Sequence, residues 1–100
     1  MRIPKKIKVF THTYTVNIVD TNDEKKDRDN WGRAHMSKLK IYIDRSLPTT
    51  RQEETFIHEM LHAIVHQCGL RHDWDKDEEK YVDRLSNALY MVLKENNLLK

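Results

Sequence analysis

The sequence has little of several residue types, and each scarcity narrows what the protein can be. It contains one cysteine, two glycines and two prolines among 100 residues, and no apolar run near the length of about 20 that spans a membrane. Cys68 cannot form an internal disulfide, and we expect it to be a small buried hydrophobe on the apolar side of a helix. The first ten residues are basic and have no signal-peptide core, so we expect a cytoplasmic protein without a membrane segment.

The charges are nearly balanced, with 18 Lys and Arg against 16 Asp and Glu. No basic run is interleaved with aromatic residues, so nucleic-acid binding is not expected. The length predicts a single domain over residues 1–100 with one modest core. Hydrophobic residues make up 38% and charged residues 34%, a polar balance in which a bound metal could help to hold the fold together. The oligomeric state is left open.

The first half of the chain is predicted to form a small sheet. Residues 7–19 alternate between apolar and polar and are expected to form strands that turn near Thr11 and His12. Residues 20–30 contain no apolar side chain and predict a solvated loop. Residues 31–44 predict a second hairpin that turns near Ser37 and Lys38. The positions expected to face inward are Ile7, Val9, Tyr14, Val16, Ile18, Leu39, Ile41 and Ile43.

The second half is predicted to be helical. Thr50 and Glu53 follow Pro48 in a capping-box pattern, and Gly69 stands where a helix would end. A second helix is predicted from about Asp75 to Asn96, and its apolar stripe is expected to pack on the first. That stripe consists of Val82, Leu85, Leu89, Val92 and Leu93. The fold class is therefore α+β, with a small, mostly antiparallel sheet packed on an active-site helix and a long C-terminal helix.

The first helix contains the motif HEMLH, from His58 to His62. Residues four apart on a helix project the same way, so the two imidazoles can bind one ion. Glu59 lies beside that ion, where it can take a proton from a metal-bound water. At 100° per residue, His58, Glu59, His62 and His66 fall within one arc of about 100°, opposite the apolar side. The segregation favours a zinc site over a surface helix with scattered His and Glu.

The third ligand is less certain from sequence. A histidine at the metzincin spacing is absent, because Val65 stands where that motif has glycine. In thermolysin-like gluzincins the ligand is a Glu on a later helix, which points to Glu78 or Glu79. Glu78 could instead form a capping box with Asp75. We favour Glu79, which is followed four residues later by Asp83, a carboxylate able to hold a ligating histidine. His72 and Asp73 in the connecting loop are weaker alternatives.

Residues 55–98 resemble the very small phage and prophage zincins, and more distantly the metallopeptidases of the ImmA/IrrE type. The resemblance is specific at HEMLH and covers less than half of the chain. It implies a minimal zincin fold and a zinc-dependent peptidase. The stretch that follows the third ligand in ImmA/IrrE-type enzymes is missing, so their substrate is not carried over.

Two functions follow as hypotheses. The first is a zinc-dependent hydrolase of protein or peptide substrates, with His58, His62 and Glu79 as zinc ligands and Glu59 as the general base. The second is a non-catalytic zincin-like module that keeps zinc for structure and binds a protein partner. The residue that stabilises the oxyanion is not distinguished by spacing, and the candidates are His66, Arg71, His72, Tyr81 and Tyr90.

Overall fold

The computed structural model of the protein describes residues 1–20 and 31–99, and within them the chain forms an α+β fold. The strands are β1 (Lys6–Val9), β2 (His12–Val19), β3 (Gly32–His35) and β4 (Lys40–Asp44). The helices are α1 (Thr49–Cys68), α2 (Leu70–Trp74) and α3 (Glu78–Glu95), with a 3-10 turn (Asp75–Asp77) before α3. The predicted fold class is confirmed. The solvated loop predicted over residues 20–30 lies, from residue 21 on, outside the described residues.

The sheet has the order β1-β2-β4-β3. β1 pairs with β2 and β3 pairs with β4 in antiparallel hairpins, as the sequence predicted. The two hairpins join through β2 and β4, which run parallel, with Val16 opposite Ile41. Two of the three pairings are thus antiparallel. Among the described strands β3 has β4 as its only neighbour, so β3 forms one edge of the sheet.

The core lies between one face of this sheet and α1. Tyr14, Ile41 and Ile43 are fully buried on the sheet side, as their alternation with polar residues predicted. Phe56 and Ile57 meet them from α1. The other side of α1 contacts α3, so α1 is the middle layer and its side chains reach both neighbours. In the described part of the chain, no helix is both long and apolar enough to cross a membrane.

The predicted capping box at the start of α1 is wrong. The N-cap residue is Pro48, and no side chain caps the helix. Glu53 is instead 2% exposed and accepts a hydrogen bond of 2.6 Å from the hydroxyl of Tyr90 on α3. The amino group of Met1 and the Nζ of Lys94 lie 3.1 and 3.5 Å from its carboxylate. The helix ends at Gly69, which has φ of 85°, as predicted.

Two further local predictions are wrong. Cys68, in the last turn of α1, is exposed rather than buried. The segment expected to be a loop is α2 and the 3-10 turn, so α3 begins at Glu78 rather than Asp75. Asp75 has a positive φ of 46° and does not cap α3 with its side chain. Glu78 therefore does not form the capping box with Asp75 that the sequence suggested.

The face of α3 that meets α1 also differs from the prediction. Val82 and Ser86 are fully buried there, but Leu85 and Val92 are 50% and 54% exposed. Leu89 is exposed as well. Val82 and Leu93 of the predicted stripe do face inward, and polar contacts of Tyr90, Glu78 and Glu79 occupy the rest of this face. The hydroxyl of the buried Ser86 lies 3.4 Å from Nδ1 of His58.

Candidate metal centre

Three side chains converge where α1 passes the first turn of α3. His58 and His62, one turn apart on α1, point their Nε2 atoms toward Glu79 of α3. The two oxygens of Glu79 lie 2.9 Å from Nε2 of His58 and 2.8 Å from Nε2 of His62. The helices run antiparallel, so the start of α3 faces the C-terminal half of α1. One carboxylate thus joins both imidazoles.

The opposite nitrogens of the same imidazoles also have partners on α3. Nδ1 of His62 lies 2.6 Å from a carboxylate oxygen of Glu78. Nδ1 of His58 lies 3.4 Å from the hydroxyl oxygen of Ser86 and 3.7 Å from a carboxylate oxygen of Asp83. The four-residue spacing from Glu79 predicted that Asp83 would lie beside a ligating histidine, as it does beside His58. Such contacts fix the tautomer of a histidine and direct its other nitrogen toward a metal.

Glu59 lies on the sheet side of this cluster and is 7% exposed. Burial raises the pKa of its carboxyl to about 7, although the nearby His62 and Arg33 act against burial, and the charge of Glu79 adds to it. Burial also lowers the pKa of His58 below its ordinary value, which favours the neutral imidazole that binds metals. The charge of Glu79 opposes this effect only in part.

β3 passes unusually close to Glu59. A Cβ built on Gly32 would lie 2.5 Å from Cγ2 of Thr55, 2.8 Å from the carbonyl oxygen of Tyr42 and 3.3 Å from Cγ of Glu59. Only a glycine fits at this point without displacing the strand or α1. This role of Gly32 was not predicted, because no local sequence pattern relates residue 32 to the helix.

The donor set suits a metal ion. His58, Glu59 and His62 offer ligand atoms that all lie within 4.8 Å of one another. Glu79 adds a carboxylate that contacts both Nε2 atoms and has a side chain 64% exposed, so it can adjust its position toward an ion. Two neutral imidazoles with one carboxylate, or with two, can hold a divalent cation.

The site lies in a cleft between β3 and the two helices. On the His58 side, a hollow of about 230 Å³ is lined by Trp31, Gly32, Glu54, Thr55 and Asn87 together with His58, Glu59 and Glu79. On the His62 side the cleft is more open. It is lined there by Arg33, Ala34, Met36, His62, Arg71, Asp75, Lys76 and Glu78, again with Glu59 and Glu79. Glu59 and Glu79 border both parts, so the cluster lies midway along the cleft.

The other sequence candidates are distributed differently. Arg71 lines the cleft on the His62 side, and His66 and His72 line an adjoining surface hollow that shares Arg71, Asp75 and Lys76 with the cleft. Tyr90 is bonded to Glu53, and Tyr81 packs edge-on against Trp74 with ring centroids 5.2 Å apart. Arg33 was missed, since only the pairing of β3 with β4 brings it beside α1.

A comparison with protein-family models, with curated proteins and with solved structures found no match to this chain. The resemblance to small phage zincins, which depends on HEMLH and the residues after it, therefore stays a prediction. What the fold and the site define on their own is an α+β protein with a His-Glu-His cluster compatible with metal binding.

Proposed function

We propose that the protein is a zinc-dependent peptide hydrolase. His58, His62 and Glu79 would hold the zinc ion, and Glu59 would act as the general base. The observation that supports this most is the position of Glu79, whose two oxygens lie 2.9 and 2.8 Å from the two Nε2 atoms. A carboxylate from a second helix thereby completes a three-residue donor set.

The chemistry of these donors favours zinc over other ions. Two imidazole nitrogens and one carboxylate are the protein ligands of many catalytic zinc sites, which keep a fourth position open. A bound zinc ion polarises the scissile carbonyl and makes a water molecule acidic at neutral pH. Magnesium and calcium prefer sites made entirely of oxygen ligands, so the two imidazoles argue against them.

Glu59 has the properties of a proton carrier. Burial raises its pKa to about 7 in the metal-free protein, so this carboxyl can take up and release a proton near neutral pH. It would take a proton from the attacking water and later give it to the departing amine. Gly32 leaves room for Glu59 between α1 and the edge strand, so the strand and the carboxylate border the same space.

The shape of the cleft favours an extended peptide as substrate. The cleft follows β3 from Trp31 to Met36, and β3 is the edge of the described sheet. An edge strand can form backbone hydrogen bonds with an extended segment. The cluster lies midway, so a peptide along β3 would extend to both sides of it.

A second function deserves a test because of two observations. The hollow beside His58 measures about 230 Å³, and the half beside His62, at about 480 Å³, is open to solvent, so the cleft encloses little of a substrate. Tyr81, Leu85, Leu89 and Val92 also form an exposed apolar stripe on α3. Both features favour the alternative of a non-catalytic zinc-binding module that interacts with a protein partner.

Metal analysis and one substitution separate these functions. Protein purified without added zinc should contain about one zinc ion per chain under both. Glu59→Gln keeps the shape of the side chain, so it should retain zinc but lose cleavage of a broad peptide library, with mass spectrometry as the readout. Arg84→Gln, an exposed change on α3 away from the cleft, serves as the control. Absence of bound zinc contradicts both functions, and zinc without cleavage by the unaltered protein contradicts the hydrolase.

A further inference from the structure

Three cations line the half of the cleft beside His62. Arg33 of β3, Arg71 of α2 and Lys76 of the 3-10 turn line it, and all three are exposed. Within the described residues, none of these cations forms an ion pair with a carboxylate. The Nη1 of Arg71 lies 3.4 Å from Nδ1 of His66. Three separate elements thus bring cations to one space.

Four carboxylates line the same space, and the charge of Arg33 acts on one of them, Glu59. Glu78 and Glu79 are each bonded to an imidazole, at 2.6 Å and at 2.8 and 2.9 Å. Glu59 is buried at the floor of the cleft. Asp75 is the fourth, and within the described residues none of the four forms an ion pair with Arg33, Arg71 or Lys76, so these cations stay available to a ligand. An anion that enters here gains attraction from several directions.

The other half of the cleft has a different character. It is lined by Trp31, Thr55 and Asn87, and its acidic residue Glu54 is already paired with Arg51 at 3.2 Å. No cation lines it among the described residues. The two halves therefore differ in charge, which gives a peptide lying across the cluster a preferred composition on one side.

We propose that the cleft selects peptides that carry a carboxylate on the His62 side of the scissile bond, where Arg33, Arg71 and Lys76 bind it. This inference rests on the proposed function for the position of that bond. Guanidinium groups bind carboxylates through two parallel hydrogen bonds, and Lys76 adds a point charge. The carboxylate can come from an Asp or Glu side chain or from the C-terminus of the peptide, and the same cations would bind either.

Binding to a variant that does not turn over tests the preference directly. Three fluorescent peptides are titrated into zinc-loaded Glu59→Gln protein and followed by anisotropy. One carries a glutamate and an amidated C-terminus, the second has glutamine in its place, and the third has glutamine with a free C-terminus. We expect one of the two acidic peptides to bind about tenfold more tightly than the neutral one, a ratio that corresponds to about 1.4 kcal/mol. Added salt should reduce the ratio.

Variants of the cations identify the site. Arg33→Gln and Arg71→Gln, each added to Glu59→Gln, should lower the ratio severalfold, while the control Arg84→Gln leaves it unchanged. If the glutamate peptide binds more tightly, the site binds a side-chain carboxylate. If the peptide with a free C-terminus binds more tightly, the site binds the terminal carboxylate of the substrate. Equal affinity for all three peptides, or no binding of any, overturns the inference.

Initial rates with the unaltered protein separate this inference from the proposed function. If the neutral peptide is cleaved as fast as the acidic ones, the charge preference is wrong and the hydrolase stands. If nothing is cleaved but the acidic peptides still bind more tightly, the hydrolase is wrong and the carboxylate site stands.

Discussion

Replacing Glu79 and Glu78 separately by glutamine tests which carboxylate is the third ligand. Glutamine has nearly the same size, so each change removes a charge without leaving a gap. The contacts predict unequal effects, since Glu79 touches Nε2 of both histidines and Glu78 touches only Nδ1 of His62. Glu79→Gln removes a proposed ligand, and Glu78→Gln removes a group that orients one.

The loss of zinc affinity expected for Glu78→Gln, the smaller of the two, can be worked out from known metal sites. Loss of a carboxylate that orients a ligating histidine weakens metal binding by about 10- to 100-fold, or about 1.4–2.7 kcal/mol. The 2.6 Å contact of Glu78 is short, so we expect the upper part of that range. Loss of Glu79 should exceed it. Asp83→Asn, at 3.7 Å from His58, should fall near or below the lower limit.

Competition with a colorimetric zinc chelator at constant pH gives the affinities. Urea unfolding of each metal-free variant is the control, because Glu79 is 64% exposed and its loss should change the free energy of unfolding by less than about 1 kcal/mol. A greater loss of zinc affinity in Glu78→Gln than in Glu79→Gln would show that the ligand choice is wrong. An equally large loss in Glu59→Gln would make Glu59 a ligand instead of a base.

Three further predictions concern the framework of the site. Gly32→Ala should destabilise the protein by about 1–3 kcal/mol in urea unfolding, because its Cβ would meet the carbonyl oxygen of Tyr42 at 2.8 Å; an unchanged midpoint would contradict the close approach. Burial acts to raise the pKa of Glu53, but Tyr90, the Met1 amino group and Lys94 outweigh it and hold this pKa below its ordinary value of 4.5. The Glu53 charge therefore stabilises the fold above that value, and the contribution is lost as pH falls through the folded-state pKa. Metal-free Glu53→Gln should accordingly lose less stability than the unaltered protein between pH 6 and pH 3, and equal slopes would refute this. Leu85→Gln should change stability by less than about 0.5 kcal/mol, whereas Val82→Ala should cost about 1–3 kcal/mol; similar losses would mean that Leu85 is packed.

The sheet and the cluster on α1 could be predicted from sequence because each depends on a short period. Alternation by two predicted the burial of Tyr14, Ile41 and Ile43. The four-residue spacing of His58 and His62 placed both imidazoles on one side of α1. These features are local, so no knowledge of the remaining chain was needed.

The errors at Glu53 and Glu78 have another cause, which is that a long-range polar contact replaced a local one. Glu53 and Glu78 each stand three residues after a potential cap, yet one meets Tyr90 and the other His62. Leu85, which the apolar stripe predicted to pack on α1, is 50% exposed, and the polar contacts of α3 with α1 were not part of that pattern. The partners are 37 and 16 residues away in sequence, beyond any local pattern.

The antiparallel pairing of α1 and α3 is held at two places, by Glu78 and Glu79 near the start of α3 and by Tyr90 further along it. A slip of one helical turn, about 5.4 Å, would separate both sets of partners at once and leave Glu53 buried without them. The spacing of eleven positions from Glu79 to Tyr90 on α3 must therefore fit the spacing from Glu53 to His62 on α1. Distant chains with the same architecture should keep these two intervals even where every loop and surface residue has changed, which makes the paired spacing a more selective search pattern than HEMLH alone.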